Sequence, residues 1–372
     1  MTNQLEALAA TVAAVSPRAV AEFERRLDAL LLDVGRDLAT YPAIASLIGH
    51  GSLGRLCEFN REHSRLVLAA LKFADYRLLV RGHVWFLRAY QAQGFWRSFF
   101  PEAMLAWLRA VQKHMDAPTG SEMSRVYRFL MENDRSFSEE QQAAAVPVGA
   151  FAEALLRGDE AACREEAQVV LGGAGGLAAL YEDVIAPAMR TVGTLWEQGK
   201  IDSTAERIAT GIVERIMATA AASFHLEGVS GGPQAVVACP AEEQHAIGAR
   251  MVADLLRLDG WDVTFLGANV PSVDLLKLLR SRRPAVLALS VAMPGHLVEV
   301  KSLVTAVRGD AALGRLRILL GGPVLAQVTD ATVRALGVDG GARDARGAVR
   351  AAATVTGMTP LGSQLRSLRH AS

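Results

Sequence analysis

Glu243-x-His245-x-x-Gly248 is the segment of this sequence best suited to chemistry. It stands where a short apolar run, Ala235 to Cys239, gives way to a helical pattern beginning near Ala246. A histidine there lies at the carboxyl end of a strand, where open α/β sheets bind ligands. A carboxylate two residues earlier fixes the tautomer and basicity of the imidazole, which is how a metal-ligating histidine is prepared. Alone, such a motif also occurs in ordinary surface loops. What gives it weight is the recurrence of small residues at later strand ends: Ser290 after the run Ala285 to Leu289, and Gly321-Gly322 after Arg317 to Leu320. Without side-chain bulk, these ends let a large planar group or a chain of phosphate and ribose slide between the loops.

The elements that must position these residues alternate. Strands are expected near Ala235–Cys239, Asp262–Leu266, Ala285–Ala292, Arg317–Leu320 and about Val338, with helices near 246–258, 271–281, 296–308, 327–336 and 344–354. Five β-α units imply a doubly wound, flavodoxin-like parallel sheet of Rossmann-like type over residues 233–356. Ahead of it, residues 147–229 read as four helices, Gly149–Leu156, Glu160–Leu171, Leu177–Gln198 and Ser203–Phe224, whose short turns make a four-helix bundle. Residues 1–140 read as all helix, with apolar residues at helical spacing such as Val20, Phe23, Leu27, Leu30 and Leu31, and a further helix at Glu122–Asn133. Ser136 to Pro147 reads as a linker, and 357–372 as a mobile tail.

The spacing from Gln234 to Val355 resembles the cobalamin-binding domain of methionine synthase, corrinoid mutases and light-sensing cobalamin repressors. That family carries Asp/Glu-x-His-x-x-Gly, then Ser-x-Leu or Ser-x-Thr, then Gly-Gly. The resemblance implies that His245 replaces the dimethylbenzimidazole base as the lower cobalt ligand, with Glu243 as its hydrogen-bond partner. It also implies that Gly248 leaves room for the displaced nucleotide tail, lined by Ser290, Gly321 and Gly322. Two positions depart from the pattern: Ser290-Val291-Ala292 ends in alanine, and Gly341 falls where an aromatic is common. Both concern the shape of the tail pocket and not the ligand.

In the same family a helical bundle in this position covers the upper face of the corrin ring. Leu195-Trp196-Glu197-Gln198-Gly199 matches its Leu-Trp-x-x-Gly turn, and Glu206 follows Trp196 at the spacing of the Trp-x9-Glu-His pattern of the light-sensing repressors. The resemblance implies that Trp196 and Glu206 approach an adenosyl group. The histidine of that pattern is Arg207 here, and the repressors' second histidine, directly after the tryptophan, is Glu197. Each has a plainer reading, Trp196 as a bundle core residue and Arg207 as a solvated one; His225 and His296 have no supporting pattern and read as ordinary histidines.

The first block is unusual for its aromatic density: 10 of the 22 aromatics fall in the 35 residues from Phe73 to Trp107. Arg77, Arg81, Arg88 and Arg97 are interleaved with them, and His83, Trp85 and Tyr90 lie in the densest part. Arginines meet carboxylates bidentately and aromatics stack on flat rings, as a tetrapyrrole with two propionates would require. A helical core or a dimer interface would draw on aromatics equally. The layout is faintly similar to globin-like sensor domains and to bilin-plus-cobalamin photoreceptors. Biliverdin is the preferred occupant, with Cys57 as a thioether site, and haem the lesser one, with His83 or His63 as proximal ligand.

Composition sets the outer limits. The chain has 372 residues, 51% apolar and 21% charged, as expected of a globular protein of two or three domains. Lys+Arg and Asp+Glu are both 39, so there is no basic excess to signal nucleic acid. Cys57, Cys163 and Cys239 lie far apart, giving neither a disulfide framework nor a zinc site. Met1 to Pro17 lacks a basic segment followed by an apolar core, and no apolar stretch reaches membrane-spanning length, so a cytoplasmic location is expected. A mutase or complete methyltransferase needs a substrate barrel of about 200 residues or more, and no such alternating segment precedes Gln234. The expectation is a non-enzymatic cobalamin-dependent sensor of light, with adenosylcobalamin as cofactor, a homodimeric state and a protein signalling partner. The alternative is a corrinoid methyl carrier.

Overall fold

The computed structural model describes residues 15–49, 53–139, 147–226 and 232–357. The chain divides into two compact units: one comprises the chain through Val146 together with Thr194–Asp202, the other Pro147–Gly193 and the chain from Ser203 onward.

In the second unit, five strands, β1 (Gln234–Pro240), β2 (Asp262–Val270), β3 (Val286–Ser290), β4 (Arg317–Gly321) and β5 (Gly340–Ala342), form one sheet in the order β2-β1-β3-β4-β5. All four pairings are parallel. Val236 and Val237 pair with Leu287 and Ala288 on one side and with Thr264 and Phe265 on the other. Parallel strands buried on both faces read as continuous apolar runs, which is why 235–239 and 286–289 show no alternation. One face packs Ala235, Val237, Val286 and Ala288 against Ala249, Ala253, Leu256, Trp261 and Ala352. Strand order reverses between β1 and β3, which makes the carboxyl ends of these two strands the switch point of the sheet. The fifth strand begins at Gly340, slightly beyond the Val338 region read from the sequence, because Gly337 turns the chain at φ +81° and Asp339 spends its carboxylate on the Ile318 N–H at 2.7 Å.

The same unit carries helices Ala150–Arg157, Glu160–Leu171 and Ser203–Ser223 of the expected bundle. Its remaining helix is interrupted: Gly176–Ala179 runs into a π-helical turn, Leu180–Ile185, before Ala186–Glu197. A π turn places extra residues in one turn and redirects their side chains. Here Tyr181 donates its hydroxyl to Asp254 Oδ2 at 2.8 Å, and Glu182 accepts from the Arg346 N–H at 2.6 Å, so adjacent residues grip two helices of the α/β part.

The described residues of the first unit contain helices and no strand. They form α1 (Pro17–Thr40), α2 (Leu53–Lys72), α3 (Tyr76–Ala92), α4 (Phe99–His114), α5 (Ala117–Glu132) and α6 (Asp134–Glu139). Helix α5 starts earlier than the sequence pattern indicates, because Pro118 is tolerated in a first turn and the buried Glu22 accepts there from the Asp116 N–H (3.0 Å) and the Thr119 hydroxyl (2.5 Å). The linker read from Ser136 onward begins with a helix instead. Phe137 is fully buried, its ring 5.0 Å from that of His83, and this contact outweighs the polar composition around it. The tail expected at 358–372 lies outside the described residues.

Candidate functional site

The loop after β1 is shaped by two left-handed residues, Glu242 (φ 68) and Asn269 (φ 52). The Glu242 N–H donates to Asn269 Oδ1 at 2.7 Å and the Asn269 N–H to the Glu243 carbonyl at 2.9 Å, tying the loop to the end of β2. Asparagine suits this conformation because its short amide satisfies the backbone locally. So fixed, Glu243 is fully buried while the side chain of His245, two residues on, is 66% exposed.

Glu243 is the hub. Its Oε1 accepts from the His245 N–H at 3.0 Å and from His245 Nδ1 at 2.6 Å. Its Oε2 accepts from the N–H groups of Ala292 at 2.7 Å and Met293 at 3.2 Å, and from His296 Nδ1 at 3.0 Å. The two backbone donors precede the turn Pro294–His296 that opens helix Leu297–Arg308, where the helix dipole favours an anion. Burial pushes the Glu243 carboxyl up, but hydrogen bonds from His245 and His296 and their charges override it and hold the group well below the usual carboxylate range. An ionised carboxylate only accepts, so Nδ1 of His245 carries the proton and the lone pair able to bind metal is on Nε2. Cys239 is no competing ligand. Burial, aided by Glu243, pushes its thiol up to about 12, and Sγ lies 3.6 Å from the His245 carbonyl.

The glycines and Ser290 line the other walls, for different reasons. A Cβ on Gly322 (φ +104) would fall 2.3 Å from the Val291 carbonyl oxygen, so its glycine is required by the packing of the β3 and β4 loops. A Cβ on Gly321 would meet the Ala342 oxygen at 3.3 Å. At Gly248 the nearest atom to such a Cβ would be Ser290 Oγ at 3.8 Å, an ordinary contact distance. Internal packing therefore does not demand glycine at 248; it is space kept open at the start of a helix. Gln327 donates to the Ala292 carbonyl at 3.2 Å and steadies the β3 loop from the β4 side.

The donor set identifies the kind of metal group that fits. Among the described residues no three or more His, Cys, Asp or Glu converge as a metal site. A protein-held zinc needs three or four protein ligands. One prepared imidazole beside an open groove suits a metal that arrives with its other ligands in a macrocycle.

Of the residues expected at the upper face, Trp196 lies in the first unit, while Glu206 and Arg207 lie in the second, where Glu206 Oε1 accepts from the Thr210 hydroxyl at 2.9 Å and Arg207 is exposed. The residues expected around His83 are largely buried. His63, His83 and Tyr127 are at most 1% exposed, and Tyr90 is 6% exposed. Rings fill the space: Phe59 lies 5.0 Å from Tyr90, 5.7 Å from Phe86 and 5.1 Å from Phe99, and His63 lies 6.1 Å from His83. Arg81 is on the exposed side, Arg88 is half-buried, and Trp85 bonds to Glu197. The aromatic rings of this segment pack on one another and on the buried His63 and His83. Sequence reasoning missed His296, which has no motif of its own and gains its role only when the β3 loop meets the β1 loop. Sequence reasoning also missed Asn269, near the end of β2, whose asparagine type is the one local signal for a left-handed turn there.

The fold and site define a flavodoxin-like domain that presents a single imidazole at the switch point of its sheet, preceded by a helical cap. Residues 233–353 match the B12 binding domain family, and residues 149–220 match a second B12 binding domain family. The chain belongs to the cobalamin-binding proteins with an upstream helical cap. It is 29% identical over 142 residues to the HTH-type transcriptional repressor CarH of Myxococcus xanthus, covering 38% of this chain and 46% of that protein. To the repressor CarA of the same organism it is 29% identical over 136 residues, 36% of this chain and 43% of that one. The chain thus spans less than half the length of these curated relatives. A monomethylamine corrinoid protein of Methanosarcina barkeri superposes with a TM-score of 0.49 at 18% identity, over 55% of this chain and 96% of that one. No helix among the described residues is long and apolar enough to cross a membrane.

Proposed function

We propose that this cobalamin-binding protein is a light sensor that holds adenosylcobalamin, with His245 as the lower cobalt ligand. The observation that carries the lower ligand is the Glu243 hub, which fixes the imidazole through Nδ1 and leaves Nε2 for the metal. Similarity to the transcriptional repressors CarH and CarA supports a regulatory role, and the Trp196–Glu206 spacing, which resembles that of the light-sensing cobalamin repressors, supports the adenosyl group. When bound, cobalamin supplies a cobalt–carbon bond that visible light cleaves. The chain's own residues do the rest. Glu243 maintains the tautomer and orientation of His245, and Gly248 and Ser290 leave room for the nucleotide tail, while the sequence pattern assigns the upper group to Trp196 and Glu206. The output is a change in the contacts of a homo-oligomer or of a protein partner.

The test is an absorption spectrum of purified, adenosylcobalamin-loaded protein in the dark and after illumination, with the oligomeric state measured in both. A light-dependent spectral change coupled to a change in mass or shape supports the sensor. A spectrum that changes with a methyl donor and acceptor while light leaves the assembly unaltered assigns the chain to the methyl carriers instead.

A further inference from the structure

Trp85 of α3 donates its indole N–H to Glu197 Oε1 at 2.7 Å. Its ring also lies 6.4 Å from that of Trp196, tilted by 38°. Ala92, two turns along the same face of α3, meets Gly199: a Cβ on Gly199 (φ +66) would fall 3.1 Å from the Ala92 Cβ and 3.2 Å from its Cα. The turn between is braced internally, since the Gly199 N–H donates to the Trp196 carbonyl at 3.0 Å and the Lys200 N–H to the Leu195 carbonyl at 2.9 Å. One face of α3 therefore grips the Leu195–Lys200 turn at two points. Consistent with this, Thr194–Asp202 belongs to the same compact unit as α3.

A half-buried indole N–H requires an acceptor, and a carboxylate gives a stronger, charge-assisted bond than a neutral group. Glu197 directly follows Trp196, at the position where the light-sensing repressors that this sequence resembles carry a second histidine. In this chain the position is committed to α3. A side chain so committed couples whatever moves its neighbour to the helix it holds.

We propose that α3 reads the state of the cobalamin cap through this turn. A displacement of Trp196 on loading, or on loss of the upper group, carries Glu197 with it and reaches α3 through Trp85. The N-terminal block thereby gains a cofactor-dependent state. The inference rests on the reading of Trp196 as an upper-face residue.

Hydrogen–deuterium exchange of the full chain, followed in peptides spanning α3, tests it in three states: without cobalamin, with adenosylcobalamin in the dark, and after illumination. Exchange in α3 changes by about threefold or more between these states. In Trp85→Phe, which keeps a ring but no donor, the cobalamin spectrum still develops and the α3 response is lost. Glu197→Leu, of similar bulk but without an acceptor, loses the response as well. If the unmodified chain shows the cobalamin spectrum and its light-dependent change while α3 exchange stays constant, the proposal is overturned. It is equally overturned if the α3 response persists in both variants. Failure of any cobalamin spectrum to develop would instead refute the functional reading, and the coupling with it.

Discussion

His296 Nδ1 lies 3.0 Å from Oε2 of Glu243, the carboxylate whose other oxygen holds the imidazole of His245. His296 is 4% exposed and comes from the loop after β3, so His245 is oriented from both sides of the switch point. Loss of an outer hydrogen-bond partner of this kind weakens metal binding by about 10- to 100-fold. His296→Ala is expected to weaken cobalamin binding within that range and to shift the bound form toward a base-off spectrum. His296→Asn, which can place an N–H near the Nδ1 position, is expected to recover most of both. Titration of the apoprotein with cobalamin, read by absorption, checks the pair.

His245→Ala separates ligation from folding. The side chain is 66% exposed, so its truncation removes little packing. The thermal midpoint should move by no more than about 2 °C, within the range of surface substitutions. Cobalamin affinity should fall sharply, or the bound species should become base-off. An unaltered spectrum and affinity would remove His245 from the cobalt.

The α/β part was legible because its central strands β1, β3 and β4 are buried and announce themselves as apolar runs, two of them ending in small residues, Ser290 and Gly321. The hub was half legible. Glu243 and His245 are neighbours in sequence, whereas His296 and the Ala292 and Met293 amides join them only through the parallel pairing of β1 with β3. Aromatic density was ambiguous for a physical reason: a helical core and a flat-ring pocket call for the same residues. The π turn at Leu180–Ile185 was invisible because the apolar spacing passes through it, and its cause is the grip of Tyr181 on Asp254.

Gly248 and Gly322 are expected to respond to substitution in opposite ways. At Gly248 a new Cβ meets Ser290 Oγ at 3.8 Å, so Gly248→Val should fold while filling the groove, lowering cobalamin affinity with little change in urea midpoint. At Gly322 even a methyl group falls 2.3 Å from the Val291 oxygen at φ +104. Gly322→Ala should therefore cost about 2 kcal/mol or more of stability before any ligand is added. Parallel urea unfolding and cobalamin titration of the two variants would expose an error if both lost stability or neither lost binding.

The core of the N-terminal block should be acid-sensitive. His63 and His83 are sealed with their rings 6.1 Å apart, and among the described residues neither nitrogen of His63 nor Nδ1 of His83 has a hydrogen-bond partner. Burial holds the His63 imidazole well below its ordinary value, helped by His83, and burial lowers His83 to about 4. The folded state therefore resists protonation that the unfolded chain accepts from its ordinary value of 6.5 downward. Between those two values the unfolded state binds more protons, so stability is full above the upper one and falls as pH drops toward the lower. For His83 alone the loss amounts to about 3 kcal/mol across that window. Urea midpoints of the apoprotein, followed by the fluorescence of the buried Trp107, should decline over this range, and His83→Leu should flatten the decline. A midpoint that is independent of pH in the unmodified chain would show that the two histidines are not sealed in the folded core.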